Sequence, residues 1–276
     1  MNEVTFTTAP LPFQGQKRRF LKDFKIALKL FDKSTTFVDL FGGSGLLAHT
    51  VIRERPDAYV YYNDFDNYHI RLNNIDRTNA LLDDIRIIVQ NSPNDKVIPT
   101  ELKDRIIKRI EVDELTGAVD YITLSSSLLF SMNYVMNIED LKKQTMYNCV
   151  RKSGYSSADG YLSGINVVKS DYRELFDRFK NIPGVVFLVD PPYLSTDVST
   201  YSNYWRLGNY LDVLTVLKGT NYFYFTSNKS SILEFCEWVE NNLNAENPFK
   251  GAVMKGMNVG VGHNAGYTDI MLYKRV

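Results

Sequence analysis

Two rhythms of apolar residues alternate along this chain. Short, nearly unbroken runs, "TTFVDLF" (35–41), "AYVYYND" (58–64), "GVVFLVD" (184–190) and "NYFYFTSN" (221–228), have strand length and are rich in β-branched and aromatic side chains. Residues 185–189 are all apolar, which predicts a strand buried on both faces. Between these runs apolar residues recur at helical spacing. Helices are predicted for "SGLLAHTVIRER", opening on Ser44 and Gly45, for residues 68 to about 82, for 205–218, and for "SSILEFCEWVENNL" (230–243). The tail "GAVMKGMNVGVGHNAGYTDIMLYKRV" predicts a terminal hairpin. The order predicts an α/β fold, a doubly wound and mostly parallel sheet with helices on both faces.

Residues 95–165 break this rhythm. "TELKDRIIKRIEVDEL" (100–115) is helical, "YITLSSSLLFSMNYVMNI" is ambiguous, and "VRKSGYSSADGYLSGIN" reads as a loop or hairpin. A structureless loop of that length is uncommon in a folded domain, so an inserted subdomain is expected at 95–165, between 1–94 and 166–276 of the main domain.

Composition narrows the partners. The 276 residues carry no net charge, which excludes a uniformly basic surface for nucleic acid but not a local patch. Residues 16–33 hold seven Lys/Arg against two Asp. Residues 141–158 hold Lys142, Lys143, Arg151 and Lys152 with no acid, interleaved with Tyr147 and Tyr155. Such segments suit phosphate contacts and insertion into a groove, and equally suit a solvated face. Two cysteines without CxxC spacing and three scattered histidines offer no zinc constellation, and no metal is expected. No apolar run approaches membrane-spanning length and the opening residues lack a signal-peptide pattern, so a reduced, cytoplasmic setting is expected.

Two strand ends carry candidate chemistry. "DLFGGSGLL" (39–47) sits between strand and helix, where glycines let backbone approach a ligand and the helix N-terminus favours polar or anionic groups. A tight turn is the plainer reading. Asp64 ends the next strand, 19 residues after Gly45, where an acid commonly binds ribose hydroxyls, although it could also cap a helix. The second end is "DPPY". Pro191 and Pro192 must end the strand, and the turn can release the Pro191 carbonyl beside the Asp190 carboxylate. Two acceptors suit an amino group with two N–H donors, and Tyr193 offers a face on which its ring can stack.

Taken together these stretches resemble the DNA adenine-N6 methyltransferases in which the cofactor motif precedes the catalytic one. "LPFQGQKRRFL" (11–21) is similar to the family's amino-terminal motif, placing Phe13, Gly15 and Lys17. "FVDLFGGSG" is similar to its cofactor loop, placing Asp39, Phe41, Gly43, Ser44 and Gly45. "YYNDFDN" resembles its Asn-Asp motif, "VVKSDYREL" (167–175) its Asp-Phe motif with Asp171 and Tyr172, and "DPPY" its catalytic signature. "GQK" replaces the usual Gly-Gly-Lys and "DLF" the frequent Glu-Pro-Phe. The resemblance implies the class I, Rossmann-like fold of methyltransferases dependent on S-adenosylmethionine. It implies double-stranded DNA as partner with base flipping, a target-recognition role for the insertion, and admits a cognate restriction endonuclease. By the family pattern Lys17 pairs with the cofactor carboxylate, Asp64 with the ribose and Asp171 with the adenine amine. Rival readings are a methyltransferase acting on cytosine N4, RNA adenine or a glutamine side chain, a non-catalytic DNA-binding relative, and a dinucleotide-dependent oxidoreductase. Asp190 favours adenine, since the cytosine enzymes more often carry Ser and the glutamine enzymes Asn there.

Overall fold

Apolar strands and the helices that return between them build a seven-stranded sheet. The structure, a computed structural model, describes residues 6–31, 35–130, 133–194, 205–261 and 265–276. A 3-10 turn (Arg18–Phe20) runs into helix α1 (Leu21–Leu28). There follow β1 (Thr36–Asp39), α2 (Leu46–Glu54), β2 (Tyr59–Asn63), α3 (Tyr68–Asn73) and α4 (Ile75–Val89). The middle of the chain contributes α5 (Thr100–Glu114), α6 (Tyr121–Leu128) and α7 (Ile138–Lys143). The last part runs β3 (Ile165–Val168), α8 (Tyr172–Phe179), β4 (Val186–Val189), α9 (Leu207–Leu217), β5 (Asn221–Ser227), α10 (Ile232–Leu243), β6 (Val253–Val261) and β7 (Ala265–Lys274).

The strand order is β3-β2-β1-β4-β5-β7-β6. β3, β2, β1, β4 and β5 are mutually parallel, and β7 and β6 add an antiparallel edge. This is the doubly wound, mostly parallel α/β architecture expected, with the terminal hairpin as its edge; residues 262–264 of that hairpin lie outside the described set. Every residue of β4 is fully buried, as a strand covered on both faces requires. Side-chain alternation sends Phe37, Val186, Leu188, Phe223 and Phe225 to one face, against Phe20, Phe24 and Leu28 of the 3-10 turn and α1 and Leu47, Ala48 and Val51 of α2. Val38, Phe187, Val189, Tyr222 and Tyr224 go to the other, against α8, α9 and α10.

The chain divides into two compact units. One comprises Ala9–Gly15 and Asn67–Asp159, and the sheet with its helices belongs to the other. These limits differ from the expected insertion at 95–165 at both ends. The predicted single helix at 68–82 breaks at Asn74 into α3 and α4, and α4 packs with α5, Arg77 pairing with Asp113 and Arg109 with Asp84. At the far end Ile165 is already in β3, an edge strand of four residues, Ile-Asn-Val-Val, whose side chains are partly or well exposed. Among the described residues no helix is long and apolar enough to cross a membrane.

Candidate active site

The strand order reverses between β1 and β4, and ligands of open α/β sheets bind beyond the carboxyl ends of strands at such a point. Asp39 closes β1 and Asp190 follows β4 directly. The pairing of Phe37 with Val186 and of Asp39 with Leu188 turns both carboxylates toward the sheet face covered by α1. On that side Phe20 packs edge-on against Phe225, 5.7 Å between ring centres, which brings the preceding Lys17 over the strand ends. Lys17 Nζ lies 2.6 Å from Asp190 Oδ2, and also 5.3 Å from the centre of the Tyr193 ring. Lys17, expected to await a cofactor carboxylate, is thus paired with the proposed catalytic residue. Pro191 and Pro192 are buried and Tyr193 half-buried.

Burial dominates the electrostatics here. It pushes the Asp190 carboxyl up to about 6, with Lys17 pulling it down and Asp269 adding a smaller upward push. Asp39 is pushed up to about 8, first by burial and then by the Asp190 charge, while the Phe41 amide and Lys17 only partly offset this. Among the described residues neither Asp39 side-chain oxygen has a hydrogen-bond partner of good geometry. Burial and the neighbouring Asp190 charge thus favour the protonated Asp39 carboxyl, and a buried polar group left in this way is ready to receive a ligand. Asp269 was not legible as part of the site. It lies in β7 opposite Ser227, its carboxyl raised by burial and lowered by Lys17 and Arg19.

The glycine loop leads from β1 into α2, with Gly43 and Gly45 at φ +51° and +71°, a region open to glycine and strained for other residues. Asn63, the Asn of the Asn-Asp motif, to which sequence reasoning assigned no role, ends β2. Its Nδ2 donates to the Leu40 and Ser170 carbonyls, both at 3.0 Å, and its Oδ1 accepts from the Ser170 N–H. One side chain thereby ties the ends of β1, β2 and β3 together. Asp64 follows it, buried, its N–H donating to the Val168 carbonyl.

Asp171 serves as the N-cap of α8. Its carboxylate accepts the Arg173 N–H at 2.8 Å and pairs with the Arg173 guanidinium, which holds it below the usual carboxylate range. Tyr172 packs between Phe41 and Trp205, with ring centres 4.9 and 6.0 Å away. Its buried hydroxyl has no partner among the described residues. Phe13 and Gly15 fall in the other unit, where Phe13 meets the edge of Tyr68.

The predicted DNA-binding residues are more engaged than their sequence suggested. Lys142 pairs with Glu111 and Glu139, and Lys143 with Asp140. Two of these acids lie just before the acid-free window and the third is far off in sequence. Arg151 lies over the Tyr155 ring at 4.0 Å. Tyr155 is buried and its backbone is held by Asn79 on both sides, so this ring is part of a core and the expectation of its insertion into a groove is corrected. Arg151 and Lys152 are exposed.

Comparison with known proteins places this geometry. The family model for D12 class N6 adenine-specific DNA methyltransferases matches residues 13–213. A Haemophilus influenzae protein named "Putative methyltransferase" is 38% identical over 288 aligned positions, spanning 99% of this chain and 94% of that one. A crystal structure titled as an rRNA methylase from Streptococcus thermophilus aligns with 96% of this chain and all of that one, at 10% identity and a TM-score of 0.33, too low to carry an argument. On the family match and the near full-length relative, this chain is a methyltransferase and belongs to the D12 class N6 adenine-specific DNA methyltransferase family.

Proposed function

We propose that this methyltransferase moves the methyl group of S-adenosylmethionine to the exocyclic amine of an adenine flipped out of double-stranded DNA. The observation that carries the reading is the partly buried Asp190 carboxylate, held by Lys17 at the end of β4 and followed by the Pro191–Pro192 turn and Tyr193. The residues fit the methyl donor. The glycine loop turns through positive φ at Gly43 and Gly45, and among the described residues the Asp39 oxygens have no hydrogen-bond partner of good geometry. Phe41, Tyr172 and Trp205 form an aromatic cluster beside the cap residue Asp171. In this reading Asp64 takes the ribose, Asp171 and Tyr172 the adenine end, and Asp39 and the loop the amino-acid end. A role for Lys17 toward the cofactor carboxylate requires its pair with Asp190 to be shared or opened.

When bound, S-adenosylmethionine supplies an electrophilic methyl group on a sulfonium. An exocyclic amine is a weak nucleophile because its lone pair is delocalised into the ring. Asp190 and the Pro191 carbonyl accept its two N–H groups, which favours a pyramidal nitrogen with its lone pair directed away from the acceptors. Tyr193 stacks on the base and fixes its plane. The amine sheds a proton once its new bond to carbon has formed, and Asp190, with its raised pKa, is basic enough to take it. The protein contributes positioning and preorganised electrostatics. A base inside a stacked duplex cannot reach these groups, hence the flip.

Incubation with methyl-labelled S-adenosylmethionine and duplex DNA, followed by nucleoside digestion, tests the proposal. Label in N6-methyladenine is expected. Label in N4-methylcytosine, label only with RNA, or no transfer to any nucleic acid would each overturn it.

A further inference from the structure

Two tyrosine hydroxyls hold successive carbonyls of the glycine loop. Tyr62, on β2, donates to the Gly43 carbonyl at 2.7 Å, and Tyr161 donates to the Ser44 carbonyl at 2.9 Å. Both side chains are fully buried. Gly42 lies so close to the Tyr62 ring that a Cβ there would meet ring carbons at 2.2 Å, so loop and ring are fitted to each other. The Asp64 carboxylate lies beside the Tyr62 hydroxyl as well. Tyr161 is fixed in turn by His49, whose ring stacks on it at 4.8 Å. His49 Nε2 accepts the Phe6 N–H at 3.1 Å, so the ring proton sits on Nδ1 and is donated to the Tyr161 carbonyl at 2.7 Å.

We propose that Tyr62 and Tyr161 are positioning residues for the cofactor loop. By engaging the Gly43 and Ser44 carbonyls they turn these acceptors away from the ligand and leave N–H groups of the loop to face it. Neither residue touches the reacting atoms. The inference rests on S-adenosylmethionine being the ligand of this loop.

The test compares wild type with Tyr62→Phe, Tyr161→Phe and, as a control, Tyr222→Phe, which removes another buried tyrosine hydroxyl, one that donates to the Pro248 carbonyl. Each loop variant should weaken S-adenosylmethionine binding in calorimetry by roughly five- to tenfold, the effect of one hydrogen bond. The KM for S-adenosylmethionine should rise while kcat at saturation stays within about twofold, the pattern of lost binding rather than lost chemistry. Hydrogen exchange at residues 42–46, measured without cofactor, should quicken in the loop variants and not in the control. Unchanged affinity or unchanged exchange overturns the proposal, as does an equal loss of affinity in Tyr222→Phe. Absence of binding by wild type overturns the cofactor reading itself, and this inference with it.

Discussion

Lys17 and Asp190 form a largely buried ion pair, 2.6 Å between Nζ and Oδ2, with side chains 8% and 18% exposed. They are brought together by packing alone, Lys17 from the turn before α1 and Asp190 from the end of β4. The pair keeps a carboxylate usable as an acceptor where burial would otherwise hold it protonated. Removing one partner of such a pair typically costs about 3–5 kcal/mol, because the other charge stays buried.

The first prediction concerns pH. With Asp190 raised to about 6, methyl transfer should rise as pH passes upward through about 6, where the acceptor loses its proton. Lys17→Met removes the lowering influence, so the acid limb of the pH–rate profile should move to higher pH and the rate at pH 7 should fall. Lys17→Arg should restore most of the wild-type profile. An unmoved limb in Lys17→Met would show that the ammonium does not set the state of Asp190.

Asp190→Ala should lower kcat by roughly 10²–10³-fold, the usual scale for one preorganised polar group at a reacting centre. S-adenosylmethionine affinity should change little. Tyr193→Ala should weaken productive binding of the target base by about 1–3 kcal/mol, while Tyr193→Phe keeps the ring and should be mild. Single-turnover kinetics with saturating cofactor separates the two effects, and wild-type rates in Asp190→Ala would sink the assignment.

Asp39 links pH to stability. Its folded pKa of about 8 lies above its unfolded value, so the folded state binds the extra proton. Its contribution is fully present below the unfolded carboxylate pKa and is lost as pH rises through about 8. Asp39→Asn has no proton to lose. The variant should therefore gain stability relative to wild type between pH 5 and pH 8, read from thermal melts at both values. Parallel pH dependence in the two proteins would refute the assignment.

Salt dependence distinguishes the basic residues proposed to meet DNA. Lys142 and Lys143 are already paired with acids, so changing both to Ala should leave the log–log salt slope of DNA binding nearly unchanged. Arg151→Ala with Lys152→Ala should make it shallower by up to roughly 1.8, about 0.9 for each phosphate that is no longer neutralised. A binding titration across salt concentrations reads both slopes. The opposite ranking would place the phosphates along α7 instead.

Much of the unit that holds the sheet was legible because its signals are local. The apolar run at the start of β4, the proline pair that stops it and the glycine loop before α2 each follow from the conformational limits of a few consecutive residues. β3 is another matter: its four residues, Ile-Asn-Val-Val, are too short a run to mark a strand by pattern alone, and its place comes from pairing with β2. The limits of the second compact unit differ from the expected ones for another reason: they depend on side chains of α4 meeting those of α5, which follows after residues 90–99.

Neighbouring residues in the chain are enough to place each candidate group on its element: Asp190 after a core strand, Asp64 and Asn63 at the end of another, Gly43 and Gly45 in the loop between strand and helix. Chain-local sterics and hydrogen-bonding needs suffice for that. What those residues are to one another came with the packed fold. Strand order put Asp39 near Asp190, and the packing of Phe20 on Phe225 brought Lys17 to Asp190 rather than leaving it to a ligand. Folding of the other unit gave Lys142 and Lys143 acidic partners and buried Tyr155. Charge pairing and desolvation depend on distances between groups far apart in the chain, and these distances exist only once the core has closed.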